Sequence, residues 1–291
     1  MKLALGTVQF GLDYGVSNRS GMTSAAEVKR ILDVARQSGI RLLDTAASYG
    51  ISEEVLGDAL GGVSSFEIVT KTPPFAQVPV ESRRPMLRET FHRSLARLRV
   101  REVAGLLVHQ ADDLLHPDGG DLFDELSALK RAGQVRAIGA SVYSGTQIDR
   151  LMERFDLDLV QLPVSVLDQR LIRSGHLARL KKSGVEIHAR SIFLQGLLLM
   201  RPDELPPHLH RAAPVLTSYR AWLSERNLNA LDGAIGFVSA LEEVDSIVVG
   251  VNSARHLAEI VTSAGTSIES SDLARFAVED PALLNPALWP L

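Results

Sequence analysis

The sequence predicts an α/β protein in which eight parallel strands close into a single-domain (β/α)8 barrel, the TIM-barrel architecture. Three observations carry that expectation. Short apolar runs alternate with longer amphipathic ones along the 291 residues, as repeated β-α units do. Eight of the short runs read as strands, the number such a barrel needs. The runs are continuously apolar rather than alternating, which fits a parallel sheet covered on both faces. A doubly wound open sheet is the competing arrangement and normally carries a glycine fingerprint after its first strand. Neither G-x-G-x-x-G nor G-x-x-x-x-G-K-[ST] occurs in the chain.

Strands are expected at residues 3–5, 41–43, 67–70, 104–108, 137–139, 157–160, 185–189 and 246–249. Helical patterns lie between them at 25–37, 53–60, 84–98, 122–131, 147–155 and 176–182, in a paired stretch across 214–241, and at 254–262. Ser24 stands where it can cap the first helix, and Gly39, Gly133 and Gly184 stand where a helix hands over to a strand. No short repeat, low-complexity tract or Pro/Gly/Ser-rich linker divides the chain, so residues 1–291 are expected to form one domain. The one irregular stretch, 197–214 with its four prolines, is long enough to be a functional loop on the barrel rim.

Composition narrows the function classes. The 31 Lys plus Arg against 35 Asp plus Glu leave a net charge of −4, without the basic footprint that a nucleic-acid backbone requires. The absence of cysteine removes disulfides, thiolate zinc sites, iron–sulfur clusters and any cysteine nucleophile. The opening apolar run is broken at Gly6, Thr7, Gln9 and Gly11, too early for a signal peptide, and no run elsewhere approaches the ~18 residues of a membrane span. A cytoplasmic protein acting on a small molecule is the expectation.

In such barrels the active site is built at the carboxyl ends of the strands. Asp44 follows the second expected strand, with Tyr49 five residues later; Lys71 follows the third and His109 the fourth. Taken singly, a turn aspartate, a solvated lysine, a buried histidine and a rim aromatic are ordinary. Together, in a chain with 4 Tyr and 8 His, they deliver an acid, a phenol, an ammonium and an imidazole to one rim. Reduction of a carbonyl needs such a set, because hydride arriving at carbon leaves charge on oxygen that must be protonated or stabilised. Tyrosine, with an ordinary pKa of ~10, is a weak acid near neutrality. An ammonium ~4 Å away at an effective dielectric of ~20 favours the phenolate by roughly 4 kcal/mol, or about three pKa units before desolvation subtracts from it. Lys71 is placed to supply that charge, Asp44 to keep it protonated, and His109 to orient the substrate oxygen.

Gly6-Thr7, Leu43-Asp44-Thr45-Ala46 followed by Ser48-Tyr49-Gly50, Val69-Thr70-Lys71-Thr72 and Leu107-Val108-His109 resemble the aldo-keto reductases in order and spacing over essentially the whole chain. The resemblance implies a (β/α)8 barrel that binds a nicotinamide cofactor, NADP(H) or NAD(H), without a Rossmann motif. It implies Asp44, Tyr49, Lys71 and His109 as the catalytic tetrad, with Tyr49 as general acid. Gly6 and Thr7 fall within the family pattern at the cofactor end of strand one. Ser141 and Gln161 fall where the family holds the nicotinamide carboxamide, and Ser191 with Gln195-Gly196 where it holds the pyrophosphate. Gly250, Asn252, Ser253 and His256 fall at the adenosine-phosphate end. The departures are specific. Arg190 stands where the family commonly has an aromatic residue stacked on the nicotinamide, and Val142 where it often has Asn. Asn252 replaces the usual Arg that pairs a 2′-phosphate, and Ile260 the adenine-contacting Asn, so the choice between NADP and NAD stays open. Strand one begins almost at Met1, so a barrel without an N-terminal floor hairpin is expected.

Other functions compete. His208-Leu209-His210 looks like the paired histidines of metal-dependent barrels, but it follows Pro206-Pro207 rather than a strand, and no metal is expected. A Schiff-base aldolase would use Lys71 as nucleophile, against which its pairing with Asp44 argues. A non-catalytic nicotinamide-nucleotide-binding regulatory or interaction protein on the same fold is motivated by Arg190, although a pure binder has no need of Tyr49 and Lys71 together. Arg190 and the loop 197–214 point to a polar carbonyl substrate, such as a sugar or its derivative. The sequence does not fix the oligomeric state.

Overall fold

The apolar runs of the sequence become strands whose neighbours are all parallel. The computed structural model of the protein describes residues 2–62 and 65–289. The strands are β1 (Leu3–Gly6), β2 (Leu42–Asp44), β3 (Glu67–Lys71), β4 (Val103–Val108), β5 (Val135–Ser141), β6 (Leu159–Pro163), β7 (Glu186–Arg190) and β8 (Ser246–Gly250). They pair in chain order, and β8 returns to β1 through Leu3↔Ile247 to Gly6↔Gly250, closing the barrel. The expected (β/α)8 fold is the observed one.

The helices are α1 (Ala25–Gln37), α2 (Ser52–Leu60), α3 (Val80–Leu98), α4 (Ala111–Leu115), α5 (Gly119–Arg131), α6 (Gly145–Met152), α7 (Arg170–Arg173), α8 (His176–Lys182), α9 (Ala213–Ser224), α10 (Ala230–Ser239), α11 (Ala254–Ser263) and α12 (Pro281–Leu284). In α1, Val28, Ile31, Leu32 and Ala35 share the buried face, and Ser24 Oγ accepts the Glu27 N–H at 3.3 Å as the N-cap. Gly39, Gly133 and Gly184 take φ of +74°, +72° and +75°, the left-handed turn that lets each helix reverse into its strand. The irregular stretch becomes short 3-10 turns at Leu194–Leu199, Pro202–Glu204 and Pro207–Ala212 leading into α9. The four-residue helices α7 and α12 and the five-residue α4 carry too little periodicity to announce themselves in sequence.

Most strands outlast their apolar runs at the carboxyl end. Asp44, Lys71, Ser141, Gln161, Arg190 and Gly250 lie inside β-strands rather than in the loops after them. Backbone pairing continues where apolarity has stopped, because these polar residues belong to the carboxyl-end layer of the barrel. Below them Val69, Leu107 and Leu159 fill the interior, flanked by Leu42, Ala104 and Ala137. The barrel is therefore a packed core that carries a polar layer on top.

Buried carboxylates tie the outer layer together. Glu53 of α2 accepts Thr70 Oγ1 at 2.6 Å and Arg97 Nε and Nη2 at 2.9 and 2.6 Å. Glu125 of α5 takes Arg84 and Arg88 from α3 at 2.9 and 2.5 Å. Charges this deep are tolerable only with such partners. At the amino ends of the strands a cavity of about 340 Å³ is lined by Arg41, Glu67, Arg136, Glu186 and His188 among others. Among the described residues no strand precedes β1, and no helix is long and apolar enough to cross a membrane.

Candidate active site

Three neighbouring strands bring the four predicted residues together. Lys71 Nζ donates to Asp44 Oδ1 at 2.6 Å and to the Thr45 carbonyl at 2.9 Å, and the ammonium is 5.2 Å from the centre of the Tyr49 ring. The His109 ring meets Tyr49 edge-on, with centroids 5.7 Å apart and planes at 80°. Asp44, Tyr49 and His109 line a cavity of about 630 Å³ at the carboxyl ends of the strands, while Lys71 is buried behind them.

Tyr49 is seated by its backbone. Thr45 N–H donates to Val69 O at 2.9 Å, Ala47 N–H to Lys71 O at 3.0 Å, and Tyr49 N–H to Ala46 O at 3.0 Å. The far end of the loop is strapped to the residue after β1 as well, since Ser52 Oγ, at the start of α2, donates to Thr7 O at 2.8 Å. Gly11 lets the two loops touch: a Cβ there would lie 2.0 Å from Tyr49 O and 2.4 Å from Ser52 N. No side chain fits that gap.

The electrostatics differ from the sequence expectation in one respect. Burial pushes the Tyr49 phenol well above its ordinary range, Asp44 adds to the rise, and Arg190 opposes it. Burial also draws the Lys71 ammonium down, against the pull of Asp44. The charge of Lys71 is spent on the Asp44 carboxylate beside it, so desolvation wins at the phenol of the free enzyme. Burial, then the Lys71 charge, lowers His109 to about 4, which leaves the imidazole neutral near neutrality.

The remaining candidates, Ser253 apart, line the same cavity in two groups. Near the tetrad, Ser141 Oγ accepts Arg190 Nε at 3.3 Å, and Gln161 Nε2 donates to Asp44 Oδ2 at 2.7 Å. Gly6 is the last residue of β1, and Thr7 gives its hydroxyl to the Asp44 carbonyl at 3.0 Å. Farther out, Ser191 and Gln195 take φ of +59° and +55°, and Gly196 takes +99°. Such left-handed backbone costs ~1–3 kcal/mol at a non-glycine residue and is stored where a loop must present itself to a ligand. Gln195 Nε2 donates to Tyr14 Oη at 3.1 Å, joining the loops after β7 and β1 across the cavity.

Gly250, the strand partner of Gly6, and His256 line the cavity as well. Asn252 donates to Asn18 Oδ1 there, and Ser253, outside the cavity wall, caps α11 by accepting the His256 N–H at 3.2 Å. Glu27 takes the Ala254 N–H at 2.7 Å, so a carboxylate already stands at the N-terminus of α11. Ile260 is on the cavity wall and offers no polar group.

Several cavity residues escaped the sequence reading. Gln9 is buried with Oε1 unpartnered, and a Cβ at Gly250 would lie 2.7 Å from its Nε2. Tyr14, Asn18, Arg19 and Tyr143 also line the cavity. These sit in loops with no periodic signal; only the position of Gln9, three residues beyond β1, hinted at the rim. The orphaned acceptor of Gln9, the side-chain-free approach at Gly250 and the left-handed turns after β7 together fit an elongated polar ligand. His208 and His210 lie instead in the turn at Pro207–Ala212, where His210 Nε2 is bonded to Leu205 O at 2.9 Å. Among the described residues no group of three or more His, Asp or Glu is placed to hold a metal ion.

A sequence model of the aldo/keto reductase family matches residues 2–277. The chain belongs to the aldo/keto reductase family. It is 24% identical over 272 residues to D-arabinose 1-dehydrogenase of Saccharomyces cerevisiae, covering 83% of this chain and 79% of that one. It is 24% identical over 318 residues to pyridoxal 4-dehydrogenase of Microbacterium luteolum, covering 89% and 88%. An NADH-specific methylglyoxal reductase of Escherichia coli matches at 27% over 186 residues, 56% of each chain. Among solved structures, the holo form of an aldo-keto reductase from Bacillus halodurans superposes with a TM-score of 0.75 at 22% identity, over 94% of this chain and 90% of that one. At that identity the likeness speaks for the fold. Membership of the aldo/keto reductase family makes the protein an oxidoreductase of a class that works with NAD(P)(H).

Proposed function

We propose that the protein reduces an aldehyde or ketone to the alcohol with NADH or NADPH, Tyr49 acting as general acid. The observation that carries this reading is the convergence of Tyr49 and His109 on one cavity, with the Lys71–Asp44 ion pair directly behind the phenol.

The bound nicotinamide supplies the hydride, or accepts it in the reverse direction. Everything else falls to the chain. Burial keeps the Tyr49 phenol protonated through the physiological range, so a proton is always present to give to the carbonyl oxygen. As the proton leaves, negative charge grows on the phenol oxygen, on a ring 5.2 Å from the Lys71 ammonium. Lys71 therefore does little for the resting phenol and more for the reacting one, which is the differential stabilisation that accelerates a step. Neutral His109 has a ring N–H to offer the substrate oxygen, and so orients the carbonyl towards Tyr49.

Ser141 and Gln161 are assigned to the nicotinamide end, Ser191, Gln195 and Gly196 to the pyrophosphate, and Gly250, Asn252 and His256 to the adenosine end. Gly6 and Thr7 complete the wall, and Ser253 acts through the α11 cap. Asn252 disfavours a 2′-phosphate by offering no cation to pair it, so NADH is the preferred donor. A small polar carbonyl compound, such as a sugar or its derivative, suits the polar wall; relatives named for D-arabinose and methylglyoxal support that class. The aldolase reading loses ground because the Lys71 side chain is 1% exposed and its nitrogen is committed to Asp44 and Thr45.

Oxidation of NADH and NADPH followed over a panel of aldoses and small aldehydes tests the proposal. Carbonyl-dependent turnover is expected; dinucleotide binding without it would favour a non-catalytic sensor. Borohydride in the presence of substrate should leave Lys71 unmodified.

A further inference from the structure

Arg190, the last residue of β7, lies in the wall of the cavity shared by Tyr49 and His109. Its guanidinium is pinned. Nε donates to Ser141 Oγ at 3.3 Å, Nη1 to Ser191 Oγ at 3.2 Å and Nη2 to Val142 O at 3.0 Å, while the group stacks 4.2 Å from the centre of the Tyr143 ring. Every one of these partners is uncharged. The other cation of the layer, Lys71, is neutralised by Asp44 at 2.6 Å. Arg190 thus leaves the inner cavity with a fixed, unneutralised positive charge. Its field is felt around the site, opposing the burial-driven rise at Tyr14 and Tyr49 and adding to the burial-driven fall at Lys71 and His109.

A nicotinamide ring that exchanges hydride with a carbonyl held on Tyr49 must lie in this same inner cavity. In the reduction, the ring gives the electron pair with its hydrogen to the carbonyl carbon, and Tyr49 gives the proton to oxygen. The ring passes from neutral to a pyridinium cation. The two forms of the cofactor therefore differ by one positive charge close to a guanidinium that cannot lose its own.

We propose that Arg190 sets the redox preference of the site, binding the reduced nicotinamide more tightly than the oxidised one. This rests on the hydride-transfer reading above. The consequence is directional. The bound couple is a stronger oxidant than the free one, so the equilibrium on the enzyme is displaced towards oxidation of the alcohol, and oxidised dinucleotide is expelled after each reduction. Two unit charges ~8 Å apart, at an effective dielectric between ~20 and ~40 for a cavity closed off from bulk water, give a discrimination of roughly sixfold to thirtyfold.

The experiment is titration of the full-length protein with NADH and with NAD+, followed by calorimetry, for the native chain, Arg190→Met and Arg190→Lys. Loss of the contacts to Ser141 and Ser191 weakens both forms alike and cancels in the ratio of dissociation constants, so a merely structural role leaves that ratio unmoved. The expected native ratio, oxidised over reduced, is well above one. It falls at least threefold towards one in Arg190→Met and stays within about twofold of native in Arg190→Lys. A native ratio at or below one overturns the proposal even if a variant fails to fold, as does an unchanged ratio in Arg190→Met. Binding of neither dinucleotide removes the hydride-transfer reading itself, and the proposal with it.

Discussion

Gln161 of β6 donates its side-chain amide to Asp44 Oδ2 of β2 at 2.7 Å, reaching a residue 117 positions away across the top of the barrel. Lys71 occupies the other oxygen at 2.6 Å. Both carboxylate oxygens are thus committed, and the plane of Asp44 is fixed. The ammonium it holds is fixed in turn, behind the Tyr49 ring. A residue that the family resemblance places on the cofactor therefore also positions the ion pair behind the phenol.

Breaking this chain at Lys71 leaves a buried carboxylate without its cation. Lys71→Met is expected to destabilise the protein by about 3–5 kcal/mol, and Asp44→Leu combined with Lys71→Met to recover much of that loss. Urea unfolding of the single and double variants measures it. Recovery of stability without recovery of activity is the expected pattern; additive losses would contradict a coupled pair.

Gly11→Ala places a methyl group 2.0 Å from the Tyr49 carbonyl, and the loop after β2 must move to admit it. A shift of ~1 Å at a reacting group can cost ~100-fold in rate, so kcat is expected to fall by ten- to a hundredfold while far-ultraviolet circular dichroism stays native. Unchanged kcat would mean that Tyr49 is not held by this contact.

His109 is held at about 4 against an ordinary value of 6.5. Between those two pH values the unfolded chain binds a proton that the folded chain refuses, so stability falls as pH drops from 6.5 towards 4 and levels off below. The full effect is on the order of 3 kcal/mol. His109→Gln lacks this contribution. The gap in melting temperature between native and variant protein should therefore shift in favour of the variant as pH falls; parallel curves would contradict the assignment.

Asn252 offers a neutral amide where a 2′-phosphate would need a guanidinium, and Glu27 stands at the nearby helix N-terminus. Asn252→Arg is expected to tighten NADPH relative to NADH by about tenfold, the scale of one charge-assisted pair. Equilibrium titration with both dinucleotides reads it directly. Equal tightening of both would place the 2′-phosphate elsewhere.

Much of this site could be read without coordinates, and the reason is topological. In a parallel barrel every strand ends on the same rim, so an apolar run followed by Asp44, Lys71 or His109 already says that these side chains are neighbours. The Ser191–Gly196 loop needs the family pattern as well, because its placement depends on turns. Gln9 is hinted at only by its place three residues beyond β1, and Tyr14 and Tyr143 carry no signal, because their positions are set by contacts between loops, such as Gln195 with Tyr14. The strand ends were read short, since Asp44 and Arg190 are polar yet still paired in the sheet. At Tyr49 desolvation outweighs the attraction that the residue types make visible. Coulomb attraction can be estimated from residue types, but the desolvation opposing it depends on how completely the loops close over the phenol.

Steady-state oxidation of NADH in the presence of a reducible aldehyde, compared between the native protein and Tyr49→Phe, tests the account most directly. The aromatic ring and its contact with His109 survive the substitution; only the transferable proton is removed. The native protein is expected to turn over, and Tyr49→Phe to lose two to four orders of magnitude in kcat with NADH affinity within a few-fold of native. Turnover in Tyr49→Phe comparable to the native rate would contradict a phenol as the proton donor.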